Sequence, residues 1–233
     1  MYYRYYFDST YVLVLIGVVI SLAASGRMKS TFAKYQRVRS QRSISGRETA
    51  ERILSNAGIY DVRVEQISGN LSDHYDPKHK VLRLSDSTYH STSVAAVGVA
   101  AHECGHALQH AKGYAPLGIR SALVPAANFG SMIAWPLIII GLLFTGETSS
   151  LFINLGIILF SVSVLFQLVT LPVEFNASRR ALQVLGDSNL LYEDEMSGAR
   201  KVLNAAALTY VAAAAAAILQ LLRIVLLSGK RRN

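Results

Sequence analysis

Four apolar runs constrain the fold of this 233-residue chain more than any other feature of its sequence: Tyr11–Ala24, Leu117–Phe144, Leu151–Val173 and Ala205–Leu227. A helix needs about 20 apolar residues to cross a bilayer. The first run reaches that length with the aromatic residues before it, since residues 1–10 hold four tyrosines and Phe7. Backbone amides in lipid must be satisfied within the segment, so runs of this kind are helices. A mean hydropathy of +0.31, with 52% apolar and only 16% charged residues, agrees with an integral membrane protein that is mainly α. The lone cysteine, Cys104, excludes an internal disulfide.

The charges set an orientation. Arg27, Lys29, Lys34, Arg37, Arg39, Arg42, Arg47 and Arg52 follow the first run, against only Glu48 and Glu51. By the positive-inside rule this stretch is cytoplasmic and the N-terminus lies outside. The net charge of +8 therefore speaks for membrane orientation and against nucleic acid. A cleaved signal peptide carries its positive charges ahead of its apolar run, so the first run reads as a retained anchor. Leu117–Phe144 contains Pro125 and Pro136 and reads as a kinked or interrupted span. Thr145–Ser150 reads as an outer loop without positive charge. Leu151–Val173 then returns the chain to the cytoplasmic boundary at Glu174. Gln220 and Arg223 interrupt the last run, and a fourth span leaves Lys230, Arg231 and Arg232 outside, against the rule. A fourth span is preferred over a re-entrant segment.

The expected organisation is an anchor helix over 1–26, a cytoplasmic α+β segment over 27–116 and a transmembrane hairpin over 117–173. A cytoplasmic helix and loop follow over 174–201, then an apolar helix with a basic tail over 202–233. Within the α+β segment, Ser45-Gly46-Arg47-Glu48 has the form of a capping box, with Asn56-Ala57-Gly58 closing the helix it opens. Asp61–Ile67 and Lys80–Leu84 read as strands, with a turn at Gly69-Asn70. Lys80–Leu84 is the expected edge strand for an extended substrate backbone.

The chemistry lies in His102-Glu103-Cys104-Gly105-His106, an H-E-x-x-H pattern in the Pro-free segment Val94–Ala111. Ser91, Thr92 and Ser93 are N-cap candidates for this helix, and Gly113 is its C-cap candidate. Residues four apart share a helix face about 5–6 Å apart, so His102 and His106 can serve one ion. Zinc takes imidazole nitrogens at about 2.0–2.1 Å. Glu103, beside the first histidine, can reach a water at the ion instead of the ion itself. Cys104 points off that face and reads as a packing residue.

A catalytic zinc needs a third protein ligand. His110 lies about 12 Å along the axis from His102, too far to share its ion. His74, His79 and His90 are possible. Glu174 is the better candidate, because it stands where the third apolar run reaches the cytoplasmic boundary. At this point the sequence resembles the HtpX/CAAX-protease type of membrane gluzincins, in Ala101–Ala107 and in Glu174-Phe175-x-Ala177. It is still more similar to the YugP-like membrane zinc metallopeptidases of bacteria, through Leu71–Pro77, Leu82–Ser85, His102–His106 and Pro172–Ser178. The resemblance implies zinc-dependent peptidase activity, with His102, His106 and Glu174 as ligands, at the cytoplasmic face of a bacterial membrane. The gluzincin pattern has an acidic residue four after the third ligand, where this chain has Ser178. Ser178 can still accept the hydrogen bond by which that residue supports a zinc histidine, though without charge, and Asp73, Asp76 and Asn176 are the residues that could take over.

The expectation is a multi-pass zinc endopeptidase acting on peptide or protein substrates, with Glu103 as general base. Arg179, Arg180, Tyr210 and His90 are candidate donors to the oxyanion of the tetrahedral intermediate. One alternative is a membrane scaffold or quality-control protein that keeps zinc without cleaving anything. The other is a site-2-type intramembrane protease, whose acidic ligand would have to come from Leu185-Gly186-Asp187, in the wrong order.

Overall fold

The structure, a computed structural model, describes residues 8–232. The four tyrosines and Phe7 noted within residues 1–10, an expected interfacial aromatic cluster, lie outside that range. The chain is mainly helical with one small sheet. Four helices are long and apolar enough to cross a membrane: α1 (Tyr11–Gln36), α5 (Ala115–Leu143), α6 (Gly146–Asp187) and α7 (Glu193–Arg232). Between them lie α2 (Gly46–Asn56), β1 (Arg63–Ile67), β2 (His74–Asp76), β3 (Val81–Ser85), α3 (Asp86–Tyr89) and α4 (Val94–Ala111). The residues fall into two compact units.

The first unit takes the described residues of 1–23, 121–169 and 211–233. It is built from apolar helical stretches that pack through small residues, as helices do where no hydrophobic force drives them together. Gly17 lies against Ala216, and Gly156 against the Ala134 carbonyl. Large apolar side chains such as Leu15, Val19, Met132 and Ile158 point outward. Helix α5 is continuous through Pro125 and Pro136, so of the expected kink or interruption the interruption does not occur. The expected loop Thr145–Ser150 shrinks to Phe144-Thr145, because α6 starts at Gly146.

The second unit, Ala24–Arg120 with Thr170–Tyr210, holds the sheet and all the shorter helices. Its core is a buried cluster around α4 that includes Ile53, Leu84, Val97, Cys104, Leu185 and Leu203. Helix α2 carries the full capping box: Ser45 Oγ accepts from the Glu48 amide and the Glu48 carboxylate accepts from the Ser45 amide. Of the N-cap candidates for α4, Ser93 takes the position, its hydroxyl accepting from the Ala96 amide at 3.2 Å. Gly113, at φ +60°, turns the chain after the helix.

The sheet order is β1-β3-β2, with β1 parallel and β2 antiparallel to β3. Lys80–Leu84 is therefore not the edge strand that its sequence suggests. The short strand β2, placed just ahead of Pro77, occupies that flank and makes β3 central. The burial of β3 agrees: Val81, Leu82, Leu84 and Ser85 are all inaccessible, without the alternation of a half-exposed strand. Helix α6 runs straight through Pro172 and Glu174 and ends at Asp187. Gly186, which as a glycine would be expected to cap the helix, lies inside it, and the positive φ of the following turn falls on Asn189.

Candidate metal centre

Helix α4 is rich in alanine and glycine, and this lets its neighbours come close on several sides. His102 and His106, one turn apart, face the same way, with ring centroids 4.8 Å apart and planes nearly perpendicular. Gly105 lies between them against the backbone of Ala177 in α6. A Cβ there would meet the Ala177 carbonyl group. This close approach sets Glu174, one turn earlier on α6, opposite the two rings. The Glu174 carboxylate Oε2 lies 3.2 Å from His102 Nε2 and 3.6 Å from His106 Nε2. The three groups can each offer an atom lying within 4.8 Å of the others, and all three are nearly sealed from solvent.

The opposite edges of both rings are engaged. His106 Nδ1 is 3.0 Å from Gln109 Oε1. Gln109 Nε2 donates to the Val173 carbonyl at 2.8 Å and to Asn176 Oδ1 at 3.0 Å. A carbonyl only accepts, so the amide nitrogen must face Val173 and the amide oxygen must face His106. That makes His106 Nδ1 the donor and turns the lone pair of a neutral Nε2 toward Glu174. His102 Nδ1 pairs with Ser178 Oγ at 3.1 Å. Two imidazole nitrogens and a carboxylate oxygen face one point, an arrangement that needs a cation or protons among them. Two nitrogens and one carboxylate oxygen suit zinc.

Arg120 Nη1 donates to Glu174 Oε1 at 2.9 Å, which engages one carboxylate oxygen and leaves Oε2 toward the histidines. Burial, the strongest influence on His106, disfavours its charged form. The carboxylates of Glu174 and Glu103 outweigh it and raise the imidazole pKa above its ordinary value. Glu103 is buried, yet it forms no hydrogen bond or ion pair with another described residue. Tyr210 lies within interaction range of Glu174, Glu103 and Arg120.

The family described as "Putative neutral zinc metallopeptidase" matches residues 10–229. The chain belongs to this family. A curated relative, "Putative membrane protease YugP" of Bacillus subtilis (strain 168), is 47% identical over 223 residues, covering 95% of this chain and 98% of the relative. No solved structure matches the chain.

Other residues singled out in the sequence have partners elsewhere than at His102 and His106. His74 is held by Ser72 and Arg83, His79 by Asp76, and His90 by Gln66. His110 bonds to the Tyr75 hydroxyl at 2.8 Å. Cys104 Sγ points at the Ala50 carbonyl, and burial, reinforced by Glu103, pushes its thiol pKa up. Asp187 is 13 residues beyond Glu174, about 20 Å along α6. Asp73 caps the Ser85 amide and Asp76 binds Arg83, so neither supports the histidines. Asn176 does so indirectly, through Gln109. Of the candidate oxyanion donors, Tyr210 is at the site. Arg180 is tied to Asn176 at 2.8 Å, and Arg179 is exposed. Gln109 and Arg120 were not singled out from sequence. Gln109 had a signal, being three residues from His106 on a helix and so on its face. Arg120 had another, as the only charged residue of the apolar segment 117–144.

Proposed function

We propose that the chain is a membrane-embedded zinc endopeptidase that hydrolyses peptide bonds at the cytoplasmic face of a bacterial membrane. His102, His106 and Glu174 would hold the zinc. When bound, zinc supplies Lewis acidity, lowering the pKa of water to about 7 and polarising the scissile carbonyl. Gln109 fixes the His106 tautomer that aims Nε2 inward, and Ser178 holds the His102 ring through Nδ1. Arg120 orients the Glu174 carboxylate by donating to Oε1. Glu103 takes a proton from the attacking water as its oxygen bonds to the peptide carbon. Tyr210 donates a hydrogen bond to the carbonyl oxygen as it becomes negative, a contact worth about 10²–10³ in rate at comparable sites. Glu103 then passes its proton to the amine as the C–N bond breaks.

The observation that carries this reading is the meeting of His102, His106 and Glu174 beside a buried Glu103 that has no hydrogen-bond or ion-pair partner among the described residues. A structural zinc site is closed by a fourth protein ligand. Among the described residues the candidate group has three members. The cytoplasmic placement rests on the basic stretch Arg27–Arg52, which belongs to the same compact unit as the site. The test is a peptide-library digest by detergent-purified wild type and Glu103→Gln, with zinc measured in both. The expected result is equal zinc and a loss of at least about 10²–10⁴-fold in hydrolysis for Glu103→Gln. Wild-type cleavage by the variant would remove Glu103 as base. Zinc-loaded wild type that cut no peptide would support the scaffold reading.

A further inference from the structure

Helices α1 and α7 frame a groove that the catalytic reading does not use. They run antiparallel there: Phe32 and Val202 share a buried cluster, and the Tyr35 ring lies against Gly198, where a Cβ would come within 2.8 Å of it. Beside this contact opens a cavity of about 520 Å³, within the roughly 300–1,000 Å³ of small-molecule sites. Helix α1 lines it with Arg27, Thr31 and Lys34, and α7 with Lys201, Asn204 and Leu208. Each triplet has the spacing of one helix face. The lining holds three cations and no carboxylate. None of the three cations forms an ion pair with a described residue.

The groove stands where both helices change character. Arg27 is the first charged residue after the run that begins at Tyr11, and Lys201 is the last before an uncharged stretch that reaches to Arg223. In a membrane-crossing helix this change marks the level of the lipid phosphates. We propose that the groove binds the headgroup of an anionic phospholipid. Arg27, Lys34 and Lys201 face the phosphate, Arg27 with the paired donors that suit it. Thr31 and Asn204 add hydrogen bonds, and Leu208 meets the start of an acyl chain. A basic pocket between helices near the cytoplasmic surface has the chemistry that selects anionic headgroups. A soluble phosphate would use the cations but gain nothing from Leu208 and the apolar faces beyond it.

The test measures binding of spin-labelled phosphatidylglycerol to the full-length delipidated protein in detergent, with phosphatidylcholine as the neutral comparison. Phosphatidylglycerol should be held in preference. The double variant Lys34→Gln/Lys201→Gln should weaken that binding by about tenfold or more. Lys29→Gln/Arg37→Gln, which removes the same charge from exposed positions that do not line the groove, should leave it near the wild-type value. Circular dichroism checks that both variants fold. Equal weakening by the two double variants would overturn the proposal in favour of diffuse surface charge. Displacement of the probe by millimolar inorganic phosphate would mean a free-anion site, and displacement by a soluble acidic peptide alone a protein partner. Either result would also overturn it.

Discussion

Replacing Gly105 with alanine adds one methyl group at the place where α4 and α6 touch. That methyl would fall 3.0 Å from the carbonyl carbon and 3.1 Å from the Cα of Ala177, and closer still to the carbonyl oxygen. Carbon atoms pack best at about 3.5–4.0 Å, so the α6 backbone must withdraw by roughly 0.5 Å or more. The obstacle is backbone, which cannot rotate aside as a side-chain end can. Overpacking of this kind costs about 1–3 kcal/mol. Alanine returns up to about 1 kcal/mol through its better helix propensity, so the net loss of stability is modest. The geometric effect is larger. Glu174 is three residues from Ala177 on the same helix and moves with it, whereas zinc–ligand distances tolerate only about 0.2 Å. Gly105→Ala should therefore fold and still bind zinc roughly 10–100-fold more weakly, the range seen when a ligand's support is disturbed. Competition against a chromogenic chelator in detergent reads the affinity, and a thermal melt reads the stability. Wild-type affinity in a folded Gly105→Ala protein would refute the argument that this contact places the third ligand.

Gln109→Ala removes the acceptor from His106 Nδ1, and Ser178→Ala the partner of His102 Nδ1. Each should weaken zinc about 10–100-fold in the same titration, and an unchanged affinity would show that the two rings do not depend on these residues. In metal-free protein the raised His106 pKa makes its ion pair with Glu174 a source of stability, fully present below the ordinary pKa of 6.5. That stability is lost as pH rises through the raised value, because the folded state must then give up its proton. Melts of metal-free protein should show the decline, and His106→Gln should abolish it. Zinc competes with the same proton, so its affinity should rise with pH over this range. For orientation, a cysteine replacing exposed Thr148 should react with an impermeant reagent in intact cells, while one replacing exposed Ser43 should be protected, both in a Cys104→Ala background. The reverse pattern would invert the topology.

What the sequence displayed most clearly was whatever depends on near neighbours or on the bilayer. An apolar run of membrane length has one solution for its backbone, and each of the four runs falls in a long helix. The capping box and the shared face of His102 and His106 follow from helix geometry alone. Strand order was hidden, because β2 has only three residues and no pattern to announce it, yet it turns β3 from an edge into a centre. The end of α6 is equally hidden, because Gly186, a residue type that commonly caps helices, lies inside it. Nothing local shows that the turn comes three residues later, at Asn189. The partners of the histidine pair divide the same way. Gln109 was within reach of a helix-spacing argument, whereas Arg120 meets Glu174 across 54 residues and shows itself only as a charge out of place in an apolar segment.

The central claim is that Glu174 completes a zinc site begun by His102 and His106, and an equilibrium zinc titration of Glu174→Ala beside wild type tests it most directly. Wild type should bind one zinc, and removing one of three protein ligands should lower the affinity by far more than the roughly 10–100-fold expected for a supporting residue. The same titration should leave His110→Ala unchanged, since His110 bonds to Tyr75 instead. Full zinc affinity in Glu174→Ala would contradict the account.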